Sequence, residues 1–196
     1  YGLILGFSAA ELVGGFAGLV QNRRKIRFGH LTLLLAGFVA IDIATFWNQA
    51  WVIFRGAPFN TFLHLVSLSI AATFYVAASV TFPRVSAEGA HERVDLDAHF
   101  WAHRKLVFGC ILGANLIVAV MVIILGQADA GFAKVANSVA LWTGVAVFVA
   151  GTATAAFAPW RRVAVGALAV VLLYSLWQMA RSAAELAAWS PAFGTG

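Results

Sequence analysis

Charge is the scarcest commodity in this chain: Asp, Glu, Lys and Arg make up 11% of its 196 residues, against 62% apolar ones. With a mean hydropathy of +0.87, there is too little polar surface to clothe a soluble domain of this length. Cysteine is nearly missing too. One residue, Cys110, excludes an internal disulfide and any thiolate metal cluster built within the chain. Its place is that of a small packing residue. Also lacking are a glycine-rich phosphate loop, a nucleophile beside a plausible base, and helices interrupted by Gly or Pro of the kind that line many transporter sites. An enzyme is therefore not expected. Bases outnumber acids 13 to 8, but they sit in short links between apolar runs rather than along one face, so no nucleic-acid partner is expected.

What remains is a rhythm of six apolar runs, at about 3–20, 31–54, 62–82, 106–126, 135–158 and 163–184. Each is close to the roughly 20 residues that carry a helix across a bilayer. Barrel strands would be about 10 residues long and strictly alternating. The pattern predicts an all-α integral membrane protein, a single domain over 1–196 made of six transmembrane helices, with the lipid bilayer as its first partner. The first run reads as a retained helix rather than a secretory signal. No basic region precedes it, Glu11 lies at its centre, and no small-residue cleavage site follows.

The links orient the bundle. Arg23, Arg24, Lys25 and Arg27 follow the first run, Arg84, Arg93, Arg104 and Lys105 the third, Arg161 and Arg162 the fifth. Thus ten of thirteen bases fall on one side, leaving Arg55, Lys134 and Arg181 on the other. The positive-inside rule then predicts a cytoplasmic link at 84–105 and both termini on the non-cytoplasmic side. Trp51, Trp142 and Trp189 fall near the outer interface, Trp101 and Trp160 near the inner one.

Small residues mark a packing ridge. Gly2, Gly6, Ala10, Gly14 and Gly18 recur every four positions along the first helix, and Gly109 and Gly113 begin a shorter ridge on the fourth. Such ridges let backbones approach closely, either within the chain or in self-association or contact with other membrane subunits.

Ionisable groups inside the apolar slab are the main functional clue, because an unpaired charge there costs about 3 kcal/mol on insertion scales. Glu11 lies mid-way along the first run and Asp42 mid-way along the second, at similar depth in an antiparallel hairpin. Asp42 shares a helix face with Thr45 and Gln49. Asn115 lies mid-way along the fourth run, Tyr174 and Ser175 along the sixth. One reading is a polar cluster that binds a proton or small cation, with two neighbouring carboxyls resisting joint ionisation. The other is structural: each acid bonds a neighbouring helix and acts as glue.

Histidines add less. His64 sits near the outer surface, where an imidazole can sense external pH, while His30 caps the basic loop. No span offers a second histidine at the depth of His64, so a haem pair is not expected and no cofactor is named. If the run 98–105 is helical, Asp95, His99 and His103 fall at i, i+4 and i+8, a spacing able to present a metal. The ordinary alternative is an amphipathic entry to the fourth helix, with Phe100 and Trp101 among the headgroups. The segment holding Phe82-Pro83, Val94-Asp95-Leu96, His99, His103-Arg104 and Phe108-Gly109 resembles a link in small multi-pass inner-membrane proteins of proteobacteria, a family without an assigned activity. The resemblance implies a bacterial inner membrane and transfers no catalytic residue.

A three-plus-three repeat finds little support. Ile4-Leu5-Gly6 and Ile111-Leu112-Gly113 match, but Glu11 and Asp42 have no acidic counterparts in the second half. Two functions stay open: a small proton- or cation-conducting channel or carrier subunit using the midplane carboxylates, or a non-catalytic accessory or assembly subunit of a larger membrane complex.

Overall fold

The computed structural model describes residues 2–27, 29–56, 61–84 and 93–188, without the side chains of 52–56 and 185–188. Its elements are α1 (Gly2–Gln21), a 3-10 turn (Arg23–Lys25), β1 (Ile26–Arg27), α2 (His30–Gly56), α3 (Thr61–Thr81), β2 (Val94–Asp95), α4 (Leu96–Ala128), α5 (Ala130–Ala136), α6 (Val139–Phe157) and α7 (Arg161–Ala188). All but α5 among the described helices are long and apolar enough to cross a membrane. In hydrocarbon every backbone N–H and C=O must find a partner within the protein, and an unbroken apolar run satisfies that condition as a helix. The chain is a multi-pass helical membrane protein.

Two boundaries and one strand contact depart from the hydropathy reading. The fourth helix begins at Leu96 rather than 106, because the Asp95 carboxylate accepts from the backbone N–H groups of Asp97 and Ala98 and starts the helix there. The run 98–105 is therefore helical. The fifth run, expected from 135, splits in two. Asp129 caps the short α5 through Gly131 and Phe132, Ser138 caps α6 through Leu141, and the Trp142 indole donates to the Ala136 carbonyl at 2.6 Å, pinning the turn. Finally, β1 and β2 pair in parallel, Ile26 with Val94 and Arg27 with Asp95, a contact that hydropathy gives no sign of.

That pairing fixes the first and second basic links at the same end of the bundle. The third joins them: Arg104 reaches the carbonyls of Ala155 and Ala158, and Arg161 reaches Asp97. The six long helices therefore run alternately up and down, with the basic links together.

Helix α4 is the hub. Its Phe100, Val107, Phe108, Ile111 and Ala114 are buried, and it packs against α2, α3 and α6, while α1 lies chiefly on α3 and α7 on α6. The face that α1 turns inward is Leu5, Ser8, Leu12, Gly15 and Leu19. Gly15, outside the ridge singled out in the sequence, makes the close approach: a Cβ there would lie 2.5 Å from Phe82 Cδ2 and 3.0 Å from Phe82 Cβ. At Gly6, Gly14 and Gly18 a Cβ would meet nothing within 4 Å, and at Gly2 only the Trp47 ring at 4.0 Å. Residues four apart advance about 40° around a helix of 3.6 residues per turn, so the glycine row winds off the α3 contact. Gly109 and Gly113 are likewise open.

Candidate functional site

Asp42 lies on the stripe of α2 that faces the hub, between Val39, Ile43 and Phe46, and is 5% exposed. Opposite it, Asn115 of α4 uses both amide hydrogens. Nδ2 donates to the Ile111 carbonyl one turn back at 3.0 Å and to Asp42 Oδ2 at 2.9 Å. The first bond holds the amide, and the second presents a neutral donor to the carboxyl. Aromatic contacts flank the site one helical turn away on each side. Toward the basic end, Phe38 meets Phe108 edge-on at 5.4 Å and stacks on Phe148 at 5.8 Å. Toward the other end, Phe46 packs on Phe74 at 5.1 Å.

Such a site does not hold a bare negative charge cheaply. An amide hydrogen bond within a membrane protein contributes about 0.6–2 kcal/mol, which does not offset the roughly 3 kcal/mol or more of leaving a carboxylate uncompensated at mid-depth.

The other expected members divide. Glu11 is half-buried at the seam of α1 and α3, where its Oε1 accepts from the Tyr75 hydroxyl at 3.2 Å. Glu11 and Asp42 therefore take their hydrogen bonds on different seams, each with its own neutral donor, because α1 rests on α3 more than on α2. Each carboxyl thus has a hydrogen-bond partner of its own. Thr45 is exposed and turns its hydroxyl onto its own helix, at Ile41 O, so it leaves the stripe it shares with Asp42 in projection. Gln49, two turns along from Asp42, is half-buried and its Oε1 is buried without a hydrogen-bond partner. Tyr174 packs against Trp177 and beside Gly144. The backbone carbonyl of His64 accepts from the Ser67 hydroxyl.

The stripe of Asp95, His99 and His103 does not converge on a point. Asp95 Oδ1 caps the helix, His99 Nε2 bonds Val80 O at 3.0 Å, and His103 Nδ1 bonds His99 O at 3.0 Å, with the two rings stacked at 4.1 Å. Among the described residues no group of three or more His, Cys, Asp or Glu is placed to hold a metal ion.

Several residues gain roles that the sequence reading missed. Tyr75 is the partner of Glu11. Arg104, counted there among the bases of the links, is 7% exposed. Its guanidinium donates to Ala155 O at 3.1 Å and Ala158 O at 2.9 Å and lies 4.4 Å over the Trp101 ring, capping the end of α6. The helical spacing of Phe100, Arg104, Val107 and Ile111 was a signal that placed it on an apolar face. Asp97 caps α2 from a distance, accepting from Leu31 N at 3.3 Å, while the Thr32 hydroxyl donates to Leu96 O at 2.6 Å.

Comparison with protein-family models, with curated proteins and with solved structures finds no match.

Proposed function

We propose that this membrane protein carries a proton or small cation at the occluded Asp42 carboxyl, working as a small channel or carrier subunit of a bacterial inner membrane. The observation that supports this most directly is the burial of Asp42 beside a single neutral amide, between two aromatic contacts. The reading is non-enzymatic. Its test is flux of protons or monovalent cations into liposomes holding the purified chain, compared with Asp42→Asn, which is nearly isosteric. Flux in the parent that falls to the liposome background in the variant is the expected result. No flux in the parent, or the same flux in both, refutes it.

A second reading, an accessory or assembly subunit, is favoured by a different observation. Glu11 and Tyr75 make an exposed hydrogen bond on the flank of the bundle at hydrocarbon depth, and Gly14 and Gly18 next to Glu11 on α1 are open. A carboxyl so placed is stabilised when another subunit covers it. Gentle solubilisation followed by mass spectrometry should then recover a heteromeric complex. Recovery of monomer or homo-oligomer alone across several mild detergents counts against this second reading.

A further inference from the structure

The basic end of the bundle holds another polar site, separate from the midplane carboxyls. Arg27 of β1, Asp95 of β2, Asp97, Ala98 and Trp101 of α4, and Arg161 at the start of α7 line a cleft of about 550 Å³. Its walls come from three different links, held in place by the strand pair, by the Asp97 bond to Leu31 N and by the Arg104 clamp on α6.

Its charges balance, with two guanidiniums and two carboxylates, but they are not tightly spent on each other. Arg27 Nη1 stands 3.7 Å from Asp95 Oδ2, and Arg161 Nη2 stands 3.3 Å from Asp97 Oδ2, where a charge-assisted hydrogen bond closes to about 2.7–2.9 Å. The two arginine side chains remain 79% and 62% exposed. Trp101 contributes an indole Nε1 that is buried without a hydrogen-bond partner. At the same end of the bundle, Leu106 of α4 and Val163 of α7 are exposed apolar side chains on other faces of their helices. A ligand matched to these charges carries one negative and one positive group a few ångströms apart, and at the end of a membrane-spanning bundle the lipid headgroups are the nearest source of such a pair.

We propose that the cleft binds the headgroup of an ethanolamine phospholipid, its phosphate bridged by Arg27 and Arg161 and its ammonium held by Asp95 and Asp97. Other headgroups fit less well. A glycerol headgroup supplies the phosphate but brings no ammonium to the two carboxylates. A choline headgroup has no N–H to donate to them. The aromatic face that would attract choline instead is already engaged, with Arg104 at 4.4 Å and Arg161 at 5.5 Å from the Trp101 ring centre. Free phosphate lacks both the ammonium and an apolar body.

The experiment is native mass spectrometry of the full chain exchanged into detergent with equal amounts of ethanolamine, glycerol and choline phospholipids of identical acyl chains. Ethanolamine lipid should be retained roughly tenfold over the other two, the scale of one hydrogen bond to a charged group. Arg27→Gln, at an exposed position, and Arg161→Gln should each lower that retention by a similar factor, with thermal melts reporting that the fold persists. Asp95→Asn keeps a good helix cap and should remove the preference for ethanolamine over glycerol lipid while phosphate binding survives. Glycerophosphoethanolamine, the headgroup without tails, should not displace the lipid at equal concentration. Equal retention of the three lipids, unchanged preference in Asp95→Asn, or displacement by the tail-less headgroup would each overturn the proposal.

Discussion

Removing the Arg104 side chain should loosen the bundle where three links meet. In the intact protein its guanidinium satisfies two carbonyls at the end of α6, Ala155 at 3.1 Å and Ala158 at 2.9 Å, and stacks on Trp101 at 4.4 Å. Hydrogen bonds from a charged donor contribute about 1.5–3 kcal/mol in water-soluble proteins and nearer 0.6 kcal/mol between membrane helices. At this interfacial depth about 1 kcal/mol each is a fair middle value. A cation at a helix C-terminus adds about 0.3–1 kcal/mol and the ring contact about 0.5–2 kcal/mol. Because the groups are neighbours and do not add independently, the expected loss for Arg104→Ala is about 3 kcal/mol. Arg104→Lys keeps the charge but has no planar fork to span two carbonyls or lie flat on the indole, so it should recover less than half. Denaturant titration in mixed micelles, followed by tryptophan fluorescence, measures both. Arg104→Ala within about 0.5 kcal/mol of the parent, the range of an ordinary surface change, would refute this account of the α4–α6 contact. So would a lysine variant as stable as the parent.

The glycines of α1 make a paired prediction. Gly15→Ala should cost about 1–3 kcal/mol by overpacking, since the new Cβ would face the root of the Phe82 side chain at 3.0 Å as well as its ring. Gly14→Ala and Gly18→Ala, in open positions, should fall within about 0.5 kcal/mol of the parent. Equal costs at the three positions in the same micelle titration would contradict the packing of α1 on α3. For orientation, in a Cys110→Ala background, Lys134→Cys should react with an impermeant maleimide added to intact spheroplasts. Arg24→Cys should react only after permeabilisation, and the reverse pattern would invert the bundle.

How much of this was legible beforehand differs between spans, caps and sites. The six crossings were readable because hydrocarbon imposes one condition, internal hydrogen bonding over about 20 apolar residues, and composition alone reports it. Helix ends were less so. Asp95, Asp129 and Ser138 terminate or restart helices by side-chain bonds to nearby N–H groups, and a hydropathy window averages such single residues away. Among the site residues, Asp42 and Asn115 were individually visible as polar interruptions at matching depth, and the fold brings them to 2.9 Å. Glu11 looked equivalent to Asp42, yet it pairs with Tyr75 instead. Depth follows from position in a span, whereas rotation about the helix axis depends on which neighbour is chosen.

By itself, then, the order of residues determined that this chain is a helical membrane protein, how many times it crosses, which links gather at one end and that two acids lie at mid-depth. Those properties follow from local composition and from the charge of short links, and they hold whatever the helices touch. Only the tertiary structure decided that α4 is the hub, that Arg104 is buried rather than exposed, that Gly15 and not its neighbours makes the close approach, and that the two acids keep separate company. In lipid an apolar face gains little by turning inward rather than outward, so hydropathy cannot choose among helix rotations. That choice belongs to a few small residues, aromatic contacts and polar bonds between segments far apart in the chain.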